Sequence, residues 1–372
     1  MCTGVLLHGV ALDKFIFIFM TKIVNTNNLY GVNMEIMNEK HSILENHQQE
    51  DSIFNQIDEL LSKNKFDEAI LLIDLIPESS TNFAKALSIK SMILGFLAKE
   101  PDSIENLKDS INIEFEDNKT SPYDLNNPED LFDFGITNFY FGDYQKAIEC
   151  FDMSLGILPD QSEVLYYKAL SLGCLDEFKK AIDVIDEAIE LKPENNSYWN
   201  DKGAFLSELN HVAAAHKCFN KSIELKPDSY NWSNKAVLYH KCNDLKQALE
   251  CYDNAMKLDS QDIYPVIGKA KVYMEMNDFD KAENYFDLAG EIDSTDLEYL
   301  TERGKYMMLV EDYKKAVKYF DKCLRYNDKL AFVWMFKSMA LKELNHDYEA
   351  DMCVDRALEI DPSILSKFEE FF

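Results

Sequence analysis

Catalysis, metal binding and thiol redox chemistry each need particular residue types at particular spacings, and the histidines and cysteines of this chain are the first places to look. Its eight cysteines include no C-x-x-C pair, so neither a zinc ribbon nor a dithiol redox site is written into them. Cys150, Cys218, Cys251 and Cys353 share one phase of a longer pattern and read as small apolar packing residues, whereas Cys2, Cys174, Cys242 and Cys323 are scattered. His211, His216 and His240 fall near expected helix turns without the cysteines or spaced carboxylates that a metal or a general base would need beside them. G-x-x-x-x-G-K-[ST], G-x-G-x-x-G, G-x-S-x-G and H-E-x-x-H are all missing. An enzyme reading has no residues to stand on, and no catalytic site, cofactor or metal is expected. The chemistry left to the chain is recognition.

The elements that would present a recognition surface announce themselves as a period. Ala147, Ala181, Ala215, Ala248, Ala282, Ala316 and Ala350 follow one another at 34 residues, with a single step of 33. Numbering each unit so that this alanine is position 20 puts Leu131, Leu165, Trp199, Trp232, Val266, Leu300 and Trp334 at position 4. Position 8 is then small: Gly135, Ala169, Gly203, Ala236, Ala270, Gly304 and Ser338. Position 24 is large: Phe151, Ile185, Phe219, Tyr252, Phe286, Phe320 and Val354. Spacings of 4, 7 and 11 within each half place these side chains on one helical face. Turns such as Phe141-Gly142-Asp143-Tyr144 divide the halves, and Pro159, Pro193, Pro227 and Pro362 end units. Each unit is therefore a helical hairpin, and because one hairpin cannot bury both apolar faces, neighbours must stack.

This set of residues resembles the tetratricopeptide repeat family, in which Trp, Leu-Gly, Tyr, Ala, Phe and Pro stand at these intervals. The resemblance implies an all-α fold, an α-solenoid wound as a right-handed superhelix of about nine 34-residue helix-turn-helix repeats. One departure recurs: position 7, usually Leu in the family, is Lys90, Lys168, Lys202, Lys235, Lys269, Arg303 and Lys337 here. Position 25 is acidic in most units, as Asp74, Asp152, Asp186, Asp253, Asp287, Asp321 and Asp355. A structural ion pair between facing helices is the expectation, each worth ~0–1 kcal/mol and serving mainly to fix register.

The same phase runs backwards into two degenerate units spanning 50–117, with Ala69 and Ser103 at position 20. A loop insertion at 118–127 follows, then seven full repeats over 128–364. Leu365, Phe368, Phe371 and Phe372 continue the phase, so 365–372 is expected to be a capping helix over the last apolar face. Residues 1–49 lie outside the pattern. Phe15–Met20 is too short for a membrane span, which needs about 20 apolar residues, and its charges sit wrongly for a signal peptide. This segment is expected to be disordered, or to precede a true start at Met20, Met34 or Met37.

Lys and Arg number 38 against 67 Asp and Glu, a formal net charge of −29 spread through the helices. Such a field repels phosphate backbones and anionic lipid, so neither nucleic acid nor a membrane surface is an expected partner. Unpaired cysteines suit a reducing compartment, and the expected location is cytoplasmic.

In the family resembled, first helices line an inner groove with side chains at positions 2, 5, 9 and 12. Carried onto this sequence, those positions give Phe132, Phe139 and Tyr166 in the third and fourth units. In the last three units they give Tyr264, Ile267, Lys271, Met274, Thr301, Lys305, Met308, Phe332, Met335, Met339 and Lys342, with Glu298 as the opposing charge. Three lysines and four methionines in so acidic a chain suggest a groove for a protein or peptide segment bearing apolar and acidic residues. The family's carboxylate clamp for chaperone tails needs Lys at position 5, which never occurs here. The expected function is a non-catalytic protein-interaction scaffold, with a self-associating structural subunit and an accessory arm of a separate enzyme as alternatives.

Overall fold

The computed structural model describes residues 47–62, 65–76, 85–87, 89–90, 93 and 124–369. The expected disordered N-terminal segment lies outside these residues up to position 46, as do most of the second degenerate unit and positions 118–123 of the expected loop. The chain divides at residues 191 and 192 into two compact units. The first contains α1 (His47–Ser62), α2 (Phe66–Ile73), α3 (Pro128–Tyr140), α4 (Tyr144–Ile157), α5 (Ser162–Cys174) and α6 (Phe178–Leu191). The second contains α7 (Asn196–Glu208), α8 (Val212–Leu225), α9 (Ser229–Lys241), α10 (Leu245–Leu258), α11 (Ile263–Glu275), α12 (Phe279–Ile292), α13 (Leu297–Leu309), α14 (Tyr313–Tyr326), α15 (Ala331–Glu343), α16 (Asp347–Ile360) and α17 (Ile364–Glu369). No strand occurs among the described residues. Each unit is an α-solenoid segment of helices packed as consecutive hairpins.

The turn inside each hairpin follows from one backbone position. Position 15 is left-handed in all seven full repeats: Gly142 at φ 78°, and Asp176, Asn210, Asn243, Asn277, Glu311 and Asn345 at 58–61°. Asn tolerates this conformation better than most residues, which accounts for its four occurrences. The next N–H then reaches back to the carbonyl of position 11, as in Asp278 to Tyr273 (2.9 Å) and Asp312 to Met307 (2.9 Å), closing the first helix. That same residue caps the second helix: the carboxylates of Asp143, Asp244, Asp278 and Asp312 accept from the backbone N–H three residues on.

Close packing of large on small holds each hairpin together. A Cβ added at Gly135 would lie 2.3 Å from the Phe151 ring, and one at Gly304 would lie 2.4 Å from the Phe320 ring, so positions 8 and 24 interlock. The position-20 alanines are fully buried, and so is most of the position-24 row. Cys150, Cys218, Cys251 and Cys353 are buried free thiols at position 23, as small apolar side chains would be.

The expected ion pairs join successive repeats, running from position 7 of one unit to position 25 of the unit before. Lys90 meets Asp74 at 2.6 Å and Lys168 meets Asp152 at 2.6 Å in the first compact unit. Lys269 meets Asp253 at 2.5 Å, Arg303 meets Asp287 at 2.8 Å and Lys337 meets Asp321 at 2.7 Å in the second. Lys90 and Asp74 hold the same positions, 7 and 25, as the later pairs.

At the C-terminal end, α17 buries Ile364 and Phe368, and the Phe368 ring lies 5.3 Å from Phe336 and 6.1 Å from Phe332. Leu365, expected to begin the capping face, points outward, with Ile364 in the inward place. Phe371 and Phe372 lie outside the described residues.

Candidate peptide-binding groove

The first helices of successive repeats touch along the face that carries positions 2, 5, 6, 9 and 12. The Tyr230 hydroxyl donates to Asp201 Oδ1 at 3.4 Å between α7 and α9, Lys271 Nζ donates to Glu298 Oε1 at 3.3 Å between α11 and α13, and Lys305 Nζ stands 5.5 Å from the Phe336 ring centre between α13 and α15.

The centre of this face in α11 and α13 is a network of charges. Glu302 Oε1 lies 2.8 Å from Lys305 Nζ and 3.9 Å from Lys271 Nζ, while His240 Nε2 lies 2.8 Å from Glu275 Oε1. Desolvation alone would raise the Glu302 carboxyl and lower the Lys271 ammonium. The mutual charges of Glu302, Glu298, Lys271 and Lys305 outweigh it, leaving the Glu302 pKa lowered and the Lys271 pKa raised. A third of the Lys271 side chain nevertheless meets solvent. Lys271 therefore keeps solvent access although its surroundings desolvate it. Glu302 lies outside the expected groove-lining positions, and its place corrects the expected charge balance, since two of the three lysines are already engaged by it. Lys342 is exposed and has no side-chain partner among the described residues.

The other expected groove residues divide into two groups. Tyr264, Met274, Met308, Phe332 and Met339 are half-buried on α11, α13 and α15, and Phe132 is half-buried on α3. Ile267 is fully buried, and Met335, Phe139 and Tyr166 are each less than a tenth exposed. These four pack inward because an apolar side chain at those positions gains more from the neighbouring helix than from a solvated face. Phe139, for example, sits 5.7 Å from Tyr167. Thr301 Oγ1 donates to Leu297 O at 2.7 Å, within its own helix, which removes it from the recognition set as a donor. Phe132 and Phe139 stand on the first compact unit, apart from the α11–α15 set, and are described there alone.

No group of three His, Cys, Asp or Glu able to hold a metal ion exists among the described residues, and none of the described helices is long and apolar enough to cross a membrane. Burial pushes the Cys150 thiol up to about 12 and the Cys251 and Cys323 thiols up to about 11.

Two family models, each described as Tetratricopeptide repeat, match residues 241–302 and 197–229. Residues 197–229 and 241–302 of this chain are tetratricopeptide repeats. The crystal structure of the yeast Tom70 superposes with a TM-score of 0.58 at 18% identity, covering 98% of this chain and 70% of that one. A tetratricopeptide repeat protein from Parabacteroides merdae superposes with a TM-score of 0.53 at 15% identity, covering 69% of this chain and 98% of that one. At these identities the likeness is one of fold. No curated protein matches the sequence. Tetratricopeptide repeat proteins are generally non-catalytic scaffolds for protein–protein interaction, so the partners implied for this chain are proteins.

Proposed function

We propose that the first-helix face of α11, α13 and α15 is a groove that holds a peptide segment of a partner protein. The observation that carries this reading is the joint placement of half-buried Met274, Met308, Phe332 and Met339 around a desolvated but accessible charge network at Lys271, Glu302 and Lys305. Unbranched thioether side chains repack around different guests, and fixed charges of both signs set the register of a guest without demanding one sequence. Exposed Lys342 at the end of this row is the cation available to a guest carboxylate, so the segment that fits carries apolar side chains with an acidic group toward α15. The protein acts by binding, with no reaction assigned, and the location that suits its free thiols is a reducing one such as the cytoplasm.

The test is to pan a random peptide library on the full chain and measure the enriched peptides against wild type and a Met308→Glu/Met339→Glu variant. Apolar peptides with an acidic residue, losing affinity by roughly tenfold or more in the variant, support the groove, since one interaction of ~1.4 kcal/mol is worth that factor. Equal binding by a variant whose melting curve is unchanged contradicts it.

A further inference from the structure

One rung of the inter-repeat ladder lacks its acid. At the joint between α8 and α9, position 25 is Asn220 where the other repeats of the ladder have Asp, and the lysine facing it is Lys235. The Asn220 amide donates to His216 Nδ1 at 3.0 Å, and His216 Nε2 lies 2.6 Å from the Tyr239 hydroxyl. Asn220 is thus tied to its own helix and its neighbour's tyrosine. Lys235 is left over ring faces, 5.1 Å from Trp232 and 5.9 Å from Tyr239, with no carboxylate within pairing distance among the described residues. Desolvation lowers the His216 pKa, and the Lys235 charge adds to it as the second cause.

The surroundings reinforce this. Residues 211–242 hold Lys217, Lys221, Lys226, Lys235 and Lys241 with only Glu224 and Asp228 as acids, in a chain whose net charge is −29. Asp228 is buried as the cap of α9, Lys221 pairs with Glu224, and Lys241 pairs with Glu208. Lys217 and Lys226 are exposed, Lys235 is half-buried, and none of the three has an acidic partner among the described residues. Residues 211–242 are thus a basic stretch in an acidic chain, and the nearest acids, Asp244 and Glu250 of the next hairpin, act on Tyr239 and Cys251 without pairing with Lys235.

We infer that this basic stretch is a second docking surface, taking an acidic segment of a partner protein, one of whose carboxylates completes the rung at Lys235. In the filled rungs of the second compact unit the acid is the outer member: Asp253, Asp287 and Asp321 keep 41–60% of their side-chain surface, whereas Lys269, Arg303 and Lys337 keep 6–18%. The vacant acid position therefore lies where a carboxylate from outside can reach it. A carboxylate side chain fits better than a phosphodiester backbone, because nucleic acid binding requires a run of phosphates to be neutralised against the surrounding negative field. Positions 7, 22 and 31 supply Lys235, Lys217 and Lys226, none of which belongs to the groove positions of α11–α15. The two surfaces are separable by mutation.

The experiment is fluorescence anisotropy at low salt with the full chain and a labelled short Glu-rich peptide, using a Lys-rich peptide and a single-stranded oligonucleotide of equal length as comparisons. Wild type should bind the Glu-rich peptide, Asn220→Asp should close the rung with an internal acid and weaken that binding by roughly tenfold, and Lys235→Gln should do the same. Tyr348→Glu, the same added charge at an exposed site of α16, should leave it unchanged. Asn220→Asp restores the residue that stands at the same position elsewhere, so its thermal melt should match or exceed wild type. Equal binding of the Glu-rich peptide by wild type and both variants overturns the inference, as does oligonucleotide binding tighter than peptide binding. Loss of Glu-rich peptide binding in Met308→Glu with retention in Lys235→Gln would assign the acid to the groove instead, and would also overturn it.

Discussion

Lys269 Nζ lies 2.5 Å from Asp253 Oδ1 across the joint between α10 and α11, with the lysine nearly buried and the aspartate half exposed. The ammonium also stands 4.4 Å from the Tyr285 ring centre. A repeat stack has few long-range contacts to fix how one hairpin sits on the next, and a charge at each joint penalises slipped registers more than it stabilises the right one.

The rungs should differ in worth because their lysines differ in burial. Asp253→Asn leaves an almost buried ammonium with only a ring face beside it and should cost about 1 kcal/mol, whereas Asp74→Asn, opposite the more accessible Lys90, should cost about 0.5 kcal/mol or less. Denaturant melts of the two variants in low salt check the order. A larger loss for Asp74→Asn would show that the pairs do not act through desolvation.

Gly304→Ala should destabilise although alanine is the better helix former. The new Cβ would meet the Phe320 ring at 2.4 Å, and overpacking of this kind costs about 1–3 kcal/mol against a helix-propensity gain of about 1 kcal/mol. Adding Phe320→Leu should recover part of the loss by clearing the ring, which a double-mutant cycle would read as a favourable coupling. Additive losses would mean that the ring moves aside freely.

Much of this arrangement is legible in the sequence because repetition turns single residues into rows. Gly304 against Phe320 and Lys337 against Asp321 could be named from their phase alone, since each recurs with the same partner type. Asn210, Asn243, Asn277 and Asn345 carried an unread signal for the left-handed turn at position 15. The recognition face was less legible. Position 5 belongs to the expected groove-lining set, yet Ile267 and Met335 are drawn into the core, because an apolar side chain at the edge of a helix face packs wherever the neighbouring helix leaves room. Glu302, one position off the expected set, reaches into the face on a long side chain and engages both lysines, and a list of fixed positions has no term for reach.

Asp296 gives the second compact unit a pH dependence of unusual sign. It caps α13 by accepting from Tyr299 N at 2.6 Å, and burial raises its pKa from 3.8 to about 7. Because the folded chain holds this proton more tightly than the unfolded chain, the group contributes stability at low pH that is lost as pH rises from about 4 to about 7. Asp296→Asn keeps a capping acceptor and removes the titration, so it should be more stable than wild type above about pH 7 and lose the advantage toward pH 4. Thermal melts across that range are the check. Identical pH profiles would mean that the carboxyl is solvated in the folded chain.

Thiol reactivity should follow burial. Cys150, Cys251 and Cys323 are enclosed and their thiols are pushed up to about 11–12, while Cys242 is exposed at the C-terminal end of α9. Under native conditions a maleimide should modify Cys242 quickly and the three buried thiols only after denaturation, as peptide mass mapping would show. Fast native labelling of Cys251 would indicate that the α9–α10 hairpin opens readily.

Site-specific photo-crosslinking reads out whether the α11–α15 face holds a peptide. A benzophenone amino acid is placed at Met308 in one protein and at Tyr348, which is 78% exposed on α16, in another. Each is irradiated with a peptide selected on the full chain. With a peptide in the groove, crosslinks form from position 308 and none above background from position 348. Equal yields from both positions, or crosslinks from position 348 alone, would contradict it.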